Sequence, residues 1–450
     1  MRRWILFYCL LFASVAGATG QFSVSPNGRY LLKDGKPFFW MGDTGWELFH
    51  RLNRDEAETY FRKRSEQGFN VIQAVVLAEF DGLHTPNAYG ETPLLNDNPE
   101  TPNEKYFEQV DFIVDKAAEY HINIAMLPTW GDKIFKNTWG IGPEIFNPKN
   151  AEIFAGWLAN RYKDRKNILW ILGGDRLPRG ENDLAIWRAM GKAIMKATAN
   201  RAVISFHPQP NKLGSAEWFH HDAWLAFNMF QTGHCRQESS YDRIRAAYDL
   251  RPAKPVLDGE PIYEDHPVCF NVRELGTSNA FDVRRSLYLD LFAGAFGHTY
   301  GCHDIWQFNS PKHEPVNGPH FFWVDAMDLP GANQVKYAKQ LLESFPLLER
   351  IPDQSIIREG EEGPGERIQC TRGKDYLMIY SSIGKPFHLL PGKISGNTLS
   401  GYWLDPRNGK TKPVADLPNN SEQLFTPPSS GYGQDWVLVL YNSAAYPRVK

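Results

Sequence analysis

The segment NILWILGGDRLPRGENDLAIWRAMGKAIMKATA (167–199) contains one complete strand–loop–helix unit. Its apolar run, 167–172, is short and rich in Ile and Leu, which is typical of a buried strand. Two glycines end the run, and Asp175 opens the following loop. A helical pattern with acidic residues in its first turn then covers 181–199. The segment therefore predicts a buried parallel strand joined to a covering helix, with a carboxylate at the carboxyl end of the strand.

Seven further apolar runs repeat this unit along the chain, at 37–43, 70–79, 123–130, 202–208, 223–231, 254–261 and 297–306. Helical patterns follow most of them, from Asn53 to Gly68 and at 104–120, 150–165, 239–250, 279–296 and 333–348, whereas the connection near 211–221 lacks one. Eight such units predict a parallel (β/α)8 barrel. The alternative, a doubly wound sheet, requires a glycine-rich phosphate turn after its first strand, and GDTGWE (42–47) is not GxGxxG.

The chain divides into three predicted parts. Residues 1–20 combine two arginines, an apolar run and small residues, which predicts a secretory signal peptide and export to the periplasm, the cell surface or the medium. Residues 21–352 form the predicted barrel, and the Asn-Gly and Asp-Gly turns of 22–35 predict a hairpin before it. Residues 353–450 show short alternating strands divided by Gly, Pro and Asn, which predicts an antiparallel β-sandwich.

Composition excludes several classes of partner. The formal net charge of −3 argues against nucleic acid bound through bulk charge. Beyond the first twenty residues no stretch is apolar for long enough to span a membrane.

Four cysteines remain in the predicted mature chain, Cys235, Cys269, Cys302 and Cys370. Without CxxC spacing they do not indicate a metal site, and their pairing stays open.

A second carboxylate has the same sequence context as Asp175. The run PVLDGEP (255–261) also ends in glycine and an acid, and it lies on the predicted seventh strand. Since strands four and seven lie on opposite sides of a barrel, Asp175 and Glu260 can face one bond. Two such carboxylates are the requirement for glycoside hydrolysis, with Asp175 as acid/base and Glu260 as nucleophile, about 5–5.5 Å apart in a retaining enzyme. Asp258, two positions earlier and expected on the same strand face, remains an alternative, and Glu264 is a weaker one.

Polar and aromatic residues accumulate at the same strand ends, where a barrel places its active site. Those expected to bind substrate are Asp43, Trp46, Glu47, Gln73, Trp130, Asp132, Arg176, His207, Gln231, His234, Tyr300, His303 and Trp306. The histidines at 207, 234, 298 and 303 lack HExxH or HxH spacing, so no metal or other cofactor is expected. Two alternatives remain open: a non-catalytic carbohydrate-binding barrel and a metal-dependent esterase or deacetylase that uses these histidines.

Three segments carry a family resemblance: 34–76, beginning DGKPFFWMGDTGW, and the two runs WILGGD (170–175) and PVLDGEP (255–261). Together they resemble the apiosidase-like domain of glycoside hydrolase family 140. The motif YWLDPRNG (402–409) resembles the small β domain of the same architecture, which is named for collagen binding.

The resemblance implies a secreted bacterial enzyme of a Bacteroidetes polysaccharide-degrading system. It implies hydrolysis of the bond between apiose and galacturonic acid in rhamnogalacturonan II, a plant pectic polysaccharide. The catalytic Asp and Glu of the family fall on Asp175 and Glu260. A glycosidase acting on another plant cell-wall glycan is the alternative.

Overall fold

The computed structural model describes residues 21–360 and 363–446; the predicted signal peptide, 1–20, lies outside the described residues. A parallel barrel accounts for most of the chain, and an antiparallel β domain follows it. The predicted fold class, a (β/α)8 barrel followed in the chain by a small antiparallel β domain, is therefore confirmed.

A three-stranded antiparallel sheet precedes the barrel, with strands β1 (Phe22–Val24), β2 (Leu31–Lys33) and β3 (Lys36–Phe38). The expected hairpin gains a third strand because Asp34 and Gly35, both with positive φ, turn the chain once more. Lys33 Nζ lies 2.7 Å from Asn123 Oδ1, at the first residue of a barrel strand. The sheet therefore covers the amino-terminal end of the barrel.

The barrel strands are β4 (Trp40–Thr44), β5 (Val71–Leu77), β6 (Asn123–Thr129), β7 (Ile168–Gly173), β8 (Ile204–His207), β9 (Asn228–Gln231), β10 (Val256–Glu260) and β11 (Gly297–Tyr300). Parallel pairing joins β11 to β4, runs in order from β4 to β8, and joins β9 to β10. Two backbone hydrogen bonds close the circle. The Ala226 N–H donates to Ile204 O (2.8 Å), and the Phe296 N–H donates to Val256 O (3.0 Å).

The helices are α1 (Leu48–Arg51), α2 (Arg54–Glu66), α3 (Glu104–Glu119), α4 (Pro148–Tyr162), α5 (Glu181–Ala197), α6 (Ala216–Phe219), α7 (Ser240–Asp249), α8 (Val272–Leu275), α9 (Ala280–Ala293), α10 (His303–Trp306), α11 (Trp323–Ala326) and α12 (Pro330–Glu343). The predicted helices appear as α2 to α5, α7, α9 and α12. A reciprocal capping box between Asn53 and Glu56 starts α2. The fifth connection holds only the single turn α6, as its sequence indicates.

The carboxyl-terminal domain contains β12 (Ile351–Pro352), β13 (Ile368–Arg372), β14 (Tyr376–Ser381), β15 (Phe387–Leu389), β16 (Thr398–Leu404), β17 (Thr411–Pro418), β18 (Gln423–Phe425) and β19 (Trp436–Asn442). Six of these strands form one antiparallel sheet, and β15 and β18 form a second layer. Side chains of β14 alternate between two cores. Leu377 and Ile379 face the core of the small domain, whereas Met378 and Tyr380 pack with the barrel.

The large sheet docks on α9, the helix between β10 and β11. Tyr380 stacks on Tyr288 with ring centroids 5.0 Å apart. The Arg284 guanidinium donates two hydrogen bonds to the Asp435 carboxylate, at 2.7 and 3.1 Å, and both side chains are buried. The small domain thus packs against the barrel wall behind Glu260.

Candidate active site

Asp175 lies just beyond the carboxyl end of β7. Gly173, Gly174 and Asp175 have φ values of 90°, 122° and 51°, a backbone region that favours glycine. A Cβ at Gly174 would meet the Trp130 ring at 2.8 Å and the Gly131 nitrogen at 2.7 Å. The glycine pair therefore lets the strand end turn tightly against Trp130. This turn presents the Asp175 side chain, which is 20% exposed, at the mouth of the barrel.

Glu260 is the last residue of β10. The pairing of β10 with β9 changes register between Asp258, which pairs with Phe230, and Glu260, which pairs with Gln231. Gly259 is thus an extra residue, and such a β-bulge breaks the two-residue alternation of side chains. The bulge separates the faces on which Asp258 and Glu260 lie.

The bulge corrects the expectation that Asp258 and Glu260 share a strand face. Asp258 accepts a hydrogen bond from Thr232 Oγ1 (2.5 Å) and lies near Asp290 of α9, on the outside of the barrel. Gln73 supports the bulge from β5, because its Nε2 donates to Gly259 O at 2.7 Å. Asp258 is therefore no longer an alternative to Glu260 in this site.

Two imidazoles contact the Glu260 carboxylate. His207 Nε2 lies 3.0 Å from Glu260 Oε2, and His234 Nε2 lies 3.3 Å from Oε1. The Asp175 N–H donates to His207 Nδ1 (3.4 Å), so Nδ1 is the acceptor and the Nε2 atom faces Glu260. Burial alone would raise the pKa of Glu260, but the contacts with His207 and His234 outweigh it and lower the pKa to about 2.

Asp175 has the opposite shift. Burial and the negative charge of Glu260 raise the pKa of Asp175 to about 6. Arg176, His207 and a hydrogen bond from Gln231 limit this rise. Arg176 Nη1 lies 3.3 Å from Asp175 Oδ2 and 2.7 Å from its backbone oxygen. One carboxyl group can therefore hold a proton under conditions in which the other is ionised.

Aromatic side chains line the site next to His207. The rings of Trp46 and Trp130 lie 5.2 Å apart, and Trp46 lies 5.3 Å from the His207 ring. Trp46 Nε1 donates to the Tyr263 hydroxyl (3.3 Å), which itself hydrogen-bonds Glu260. Burial and the charge of Glu260 raise the pKa of Tyr263 well above its ordinary value, so Tyr263 stays a donor. An acid, a carboxylate and an aromatic wall at one barrel mouth are the elements needed to cleave a glycosidic bond.

Comparison with known proteins identifies the family of this chain. The family model described as "Apiosidase-like, catalytic domain" matches residues 25–349, well over half of the chain. The chain belongs to the apiosidase-like family. A second model, described as "Putative collagen-binding domain of a collagenase", matches residues 351–441 of this apiosidase-like chain.

Solved structures place the apiosidase-like chain among glycoside hydrolases. A crystal structure of a glycoside hydrolase family 5 protein from Bacteroides vulgatus is 36% identical, covers 94% of both chains and has a TM-score of 0.87. A second structure, described as a glycoside hydrolase, is also 36% identical, covers 94% of this chain and 97% of its own, and has a TM-score of 0.86. No curated protein matches the chain. The protein is thus a glycosidase, as the paired carboxylates predicted.

Two further predicted residues hold loops of the apiosidase-like domain in place. Glu47 is buried, with His50 Nδ1 at 2.7 Å from one of its oxygens and the Glu79 N–H at 3.3 Å from the other. Asp132 forms a buried ion pair with Lys133 (2.7 Å) and accepts the Gly142 N–H at 2.9 Å. Both lie beside the catalytic face, where they fix the loops that follow β4 and β6.

The structure does not bring Asp43 and Tyr300 to the site, which corrects their expected role in substrate binding. The two residues pair in register across β4 and β11, and both face the helices outside the barrel. Asp43 forms a fully buried ion pair with Arg64 of α2 (2.6 Å). The Tyr300 hydroxyl donates to Glu264 at 2.7 Å. A position at a strand end gives no information about the face of the sheet, which explains the error.

His303 and Trp306 lie at the edge of the site. The His303 ring is 4.6 Å from His266, which stacks on His234 at 4.1 Å. Trp306 is half-buried and donates from Nε1 to His303 Nδ1 at 3.3 Å. These rings extend the pocket wall from Glu260 toward the loop after β11.

Three residues of the site were not among the expected substrate-binding residues: Glu79, Tyr263 and His266. Glu79 follows the apolar run of β5, the same signal that identified Asp175. Burial and the nearby charges of Asp175 and Asp132 raise the pKa of Glu79 to about 8, so it is a neutral acid beside Asp175. Tyr263 and His266 lie in the loop after β10, where no pattern distinguishes a site residue from a surface one.

Among residues 21–360 and 363–446, no group of three or more His, Cys, Asp or Glu side chains is arranged to hold a metal ion. The histidines at 207, 234, 298 and 303 instead contact a carboxylate, a backbone oxygen or another imidazole. Within the same described residues, no helix is both long and apolar enough to cross a membrane.

Proposed function

We propose that this chain is a retaining glycosidase in which Asp175 is the acid/base and Glu260 the nucleophile. The geometry supports the proposal: Asp175 and Glu260 lie at the ends of β7 and β10 at one barrel mouth, and only Glu260 contacts two imidazoles, which lowers its pKa while the charge of Glu260 raises that of Asp175. Environments that push two carboxyl pKa values apart are the usual way of dividing acid and nucleophile roles.

The reaction then has two balanced steps. In the first, Glu260 attacks the anomeric carbon while Asp175 gives its proton to the departing oxygen, and a glycosyl ester forms. In the second, the Asp175 carboxylate takes a proton from water as the water oxygen attacks the anomeric carbon and Glu260 departs. His207 and His234 stabilise the Glu260 carboxylate before the first step and as it leaves in the second.

The proposed substrate is the linkage between apiose and galacturonic acid in rhamnogalacturonan II, within glycoside hydrolase family 140. The apiosidase-like family model supports this activity. Trp306, which is half-buried at the edge of the site, offers apolar surface for the C–H face of a sugar, whereas Trp46 and Trp130 are each only 3% exposed and shape the wall of the site. Gln231 Oε1 and His234 Nδ1 are buried and have no hydrogen-bond partner among the described residues, and a sugar hydroxyl can supply one.

The direct test is incubation with rhamnogalacturonan II oligosaccharides and, in parallel, with other pectic glycans, followed by product analysis. Release of apiose from the first alone supports the proposal. Release of a different sugar, or cleavage of another pectic glycan, would indicate a different glycosidase activity. The proposed roles of Asp175 and Glu260 would not change.

Substitution tests those roles separately. Asp175→Asn and Glu260→Gln are expected to lower kcat by about 10²–10⁴-fold or more on whichever glycan is cleaved. Thermal unfolding of each variant checks that the fold is retained. Proton NMR of the first-formed anomer tests retention, since an inverted product would exclude a Glu260 ester.

We also propose that the enzyme is exported by a bacterium to the periplasm or the cell exterior. Residues 1–20 have the composition of a signal peptide. Mass spectrometry of the protein from culture fractions tests this, because a mature chain that begins near residue 21 is expected outside the cytoplasm.

A further inference from the structure

A disulfide joins the two loops nearest to Glu260. Cys235, in the loop after β9, is bonded to Cys269, in the loop after β10. Cys235 directly follows His234, which contacts Glu260. A backbone hydrogen bond from the Cys269 N–H to His234 O (2.9 Å) lies beside the disulfide. The covalent link therefore spans the two segments that carry the imidazole and the carboxylate.

The loop that Cys269 belongs to also packs against the His234 ring. His266 stacks on His234 with centroids 4.1 Å apart, and Phe270 lies edge-on at 5.8 Å. Cys269 and Phe270 both have left-handed backbone conformations, with φ of 50° and 57°. Such conformations are unfavourable for non-glycine residues and persist where surrounding contacts hold them. Phe270 is 65% exposed, so its own side chain supplies little of that support.

We propose that the Cys235–Cys269 disulfide is a positioning element of the active site, which holds the His234 imidazole against the Glu260 carboxylate. The inference rests on the proposed role of Glu260 as nucleophile. Cys235 and Cys269 touch no reacting atom, and they act through His234.

Side chains from several elements face the Glu260 carboxylate and the His234 ring. Glu260 is faced by His207 from β8, Tyr263 from the loop after β10, Asp175 from the loop after β7 and His234 from the loop after β9. His207 belongs to a barrel strand, so its contact does not depend on the disulfide. Around His234 lie Tyr263, His266 and Phe270, with His303 beyond His266. Loss of the disulfide therefore affects one of the two imidazole contacts and leaves the other.

The main test is the Cys235→Ser/Cys269→Ser double variant, assayed on the substrate that the wild-type enzyme cleaves. We expect kcat/KM to fall about tenfold, because small misplacements of a group that contacts the reacting carboxylate are costly. We also expect the acid limb of its pH profile to move up by about one unit, because one stabilising contact of the Glu260 carboxylate weakens. Cys370→Ser, which removes a buried free thiol in the small domain, is the control and should change neither value.

A double-mutant cycle separates positioning from general stability. If the disulfide acts through His234, its loss should change kcat/KM much less in a His234→Ala background than in the wild type. Equal fold-changes in both backgrounds would overturn the proposal. Unchanged activity and pH profile in a variant that lacks the disulfide would overturn it as well.

Reduction of the wild-type enzyme covers the case in which the serine variant does not fold. Dithiothreitol converts the disulfide to two thiols and becomes a cyclic disulfide itself. Mass spectrometry after alkylation counts the new thiols, and circular dichroism shows whether the fold is kept. We expect kcat/KM to fall with the fraction of reduced, folded enzyme; a fully reduced, folded enzyme with unchanged kcat/KM would contradict the proposal. These outcomes are distinct from failure of the proposed function, in which Glu260→Gln itself would remain active.

Discussion

At the residue scale, surroundings rather than residue type distinguish Asp175 from Glu260. Both are carboxylates just past glycines at strand ends. Glu260 meets two imidazoles, which favour its ionised form, whereas Asp175 is held near that negative charge, which favours its protonated form. The tight turn at Gly174 and the bulge at Gly259 give the two side chains these different positions.

A pH dependence follows from the pair. The proposed first step needs a protonated Asp175 and an ionised Glu260, so kcat/KM should fall as the pH rises through about 6 and as it falls toward 2. Because the charge of Glu260 raises the pKa of Asp175, Glu260→Gln should lower that pKa. Carbon-13 NMR titration of the Asp175 carboxyl group in both proteins measures the change. An equal or higher pKa in Glu260→Gln would refute the electrostatic coupling.

The glycine before Asp175 provides a second test at this scale. Gly174→Ala places a Cβ against the Trp130 ring at a positive φ, so we expect a loss of about 1–3 kcal/mol in the free energy of unfolding and at least a tenfold lower kcat. Gly180→Ala is the matched control in the same loop. Its backbone is extended (φ 168°) and nothing lies within 4 Å of the added Cβ. Equal effects of the two substitutions on kcat would contradict the role given to the turn.

At the element scale, strands and helices were predictable because local patterns determine them. The apolar runs became the eight barrel strands, and the capping residues of α2 marked its start. The position of Glu260 at a strand end was predictable for the same reason. The face of the sheet on which each side chain lies was not predictable. It depends on the bulge at Gly259, which arises from the pairing between β9 and β10. Asp43 and Tyr300 were misplaced for a related reason, since their partners Arg64 and Glu264 are distant in sequence.

The bulge at Gly259 leads to a prediction about Asp258. Burial and nearby Asp290 raise the pKa of Asp258 to about 7, above its value in the unfolded chain. The folded state therefore binds the proton more tightly, and the stability from this group is lost as the pH rises through about 7. Asp258→Asn, which mimics the neutral acid, should lose less stability between pH 5 and pH 8 than the wild type and should keep most of its activity.

Urea unfolding at several pH values, with activity assays alongside, checks this expectation. The matched comparison is Glu260→Gln, two residues away on the same strand, which should be inactive. An inactive Asp258→Asn that remains folded would show that Asp258 belongs to the catalytic group after all.

At the scale of the whole molecule, the small domain and the barrel share a core. One face of its large sheet packs on α9, and Arg284 and Asp435 form a buried ion pair between the two parts. Because α9 connects β10 to β11, this contact supports the wall that carries Glu260. Structural support of the barrel thus accounts for the packing of this domain.

The buried ion pair tests this support. Asp435→Ala leaves the Arg284 guanidinium buried without its carboxylate, so we expect a loss of about 3–5 kcal/mol in the free energy of unfolding. Glu422→Ala removes a partner of the exposed Arg358 in the same domain and should change stability little. Urea unfolding of both variants decides the question, and a similar small effect for both would mean that the domains are not tightly coupled.

Asp175 and Glu260 are proposed to act on one glycosidic bond from opposite sides. Azide rescue tests it most directly, with Asp175→Gly and Glu260→Gly assayed on an activated aryl glycoside of the released sugar. Azide is expected to restore turnover in both variants, giving a glycosyl azide of retained configuration from Asp175→Gly and of inverted configuration from Glu260→Gly. The same configuration from both variants, or full activity of either without azide, would contradict it.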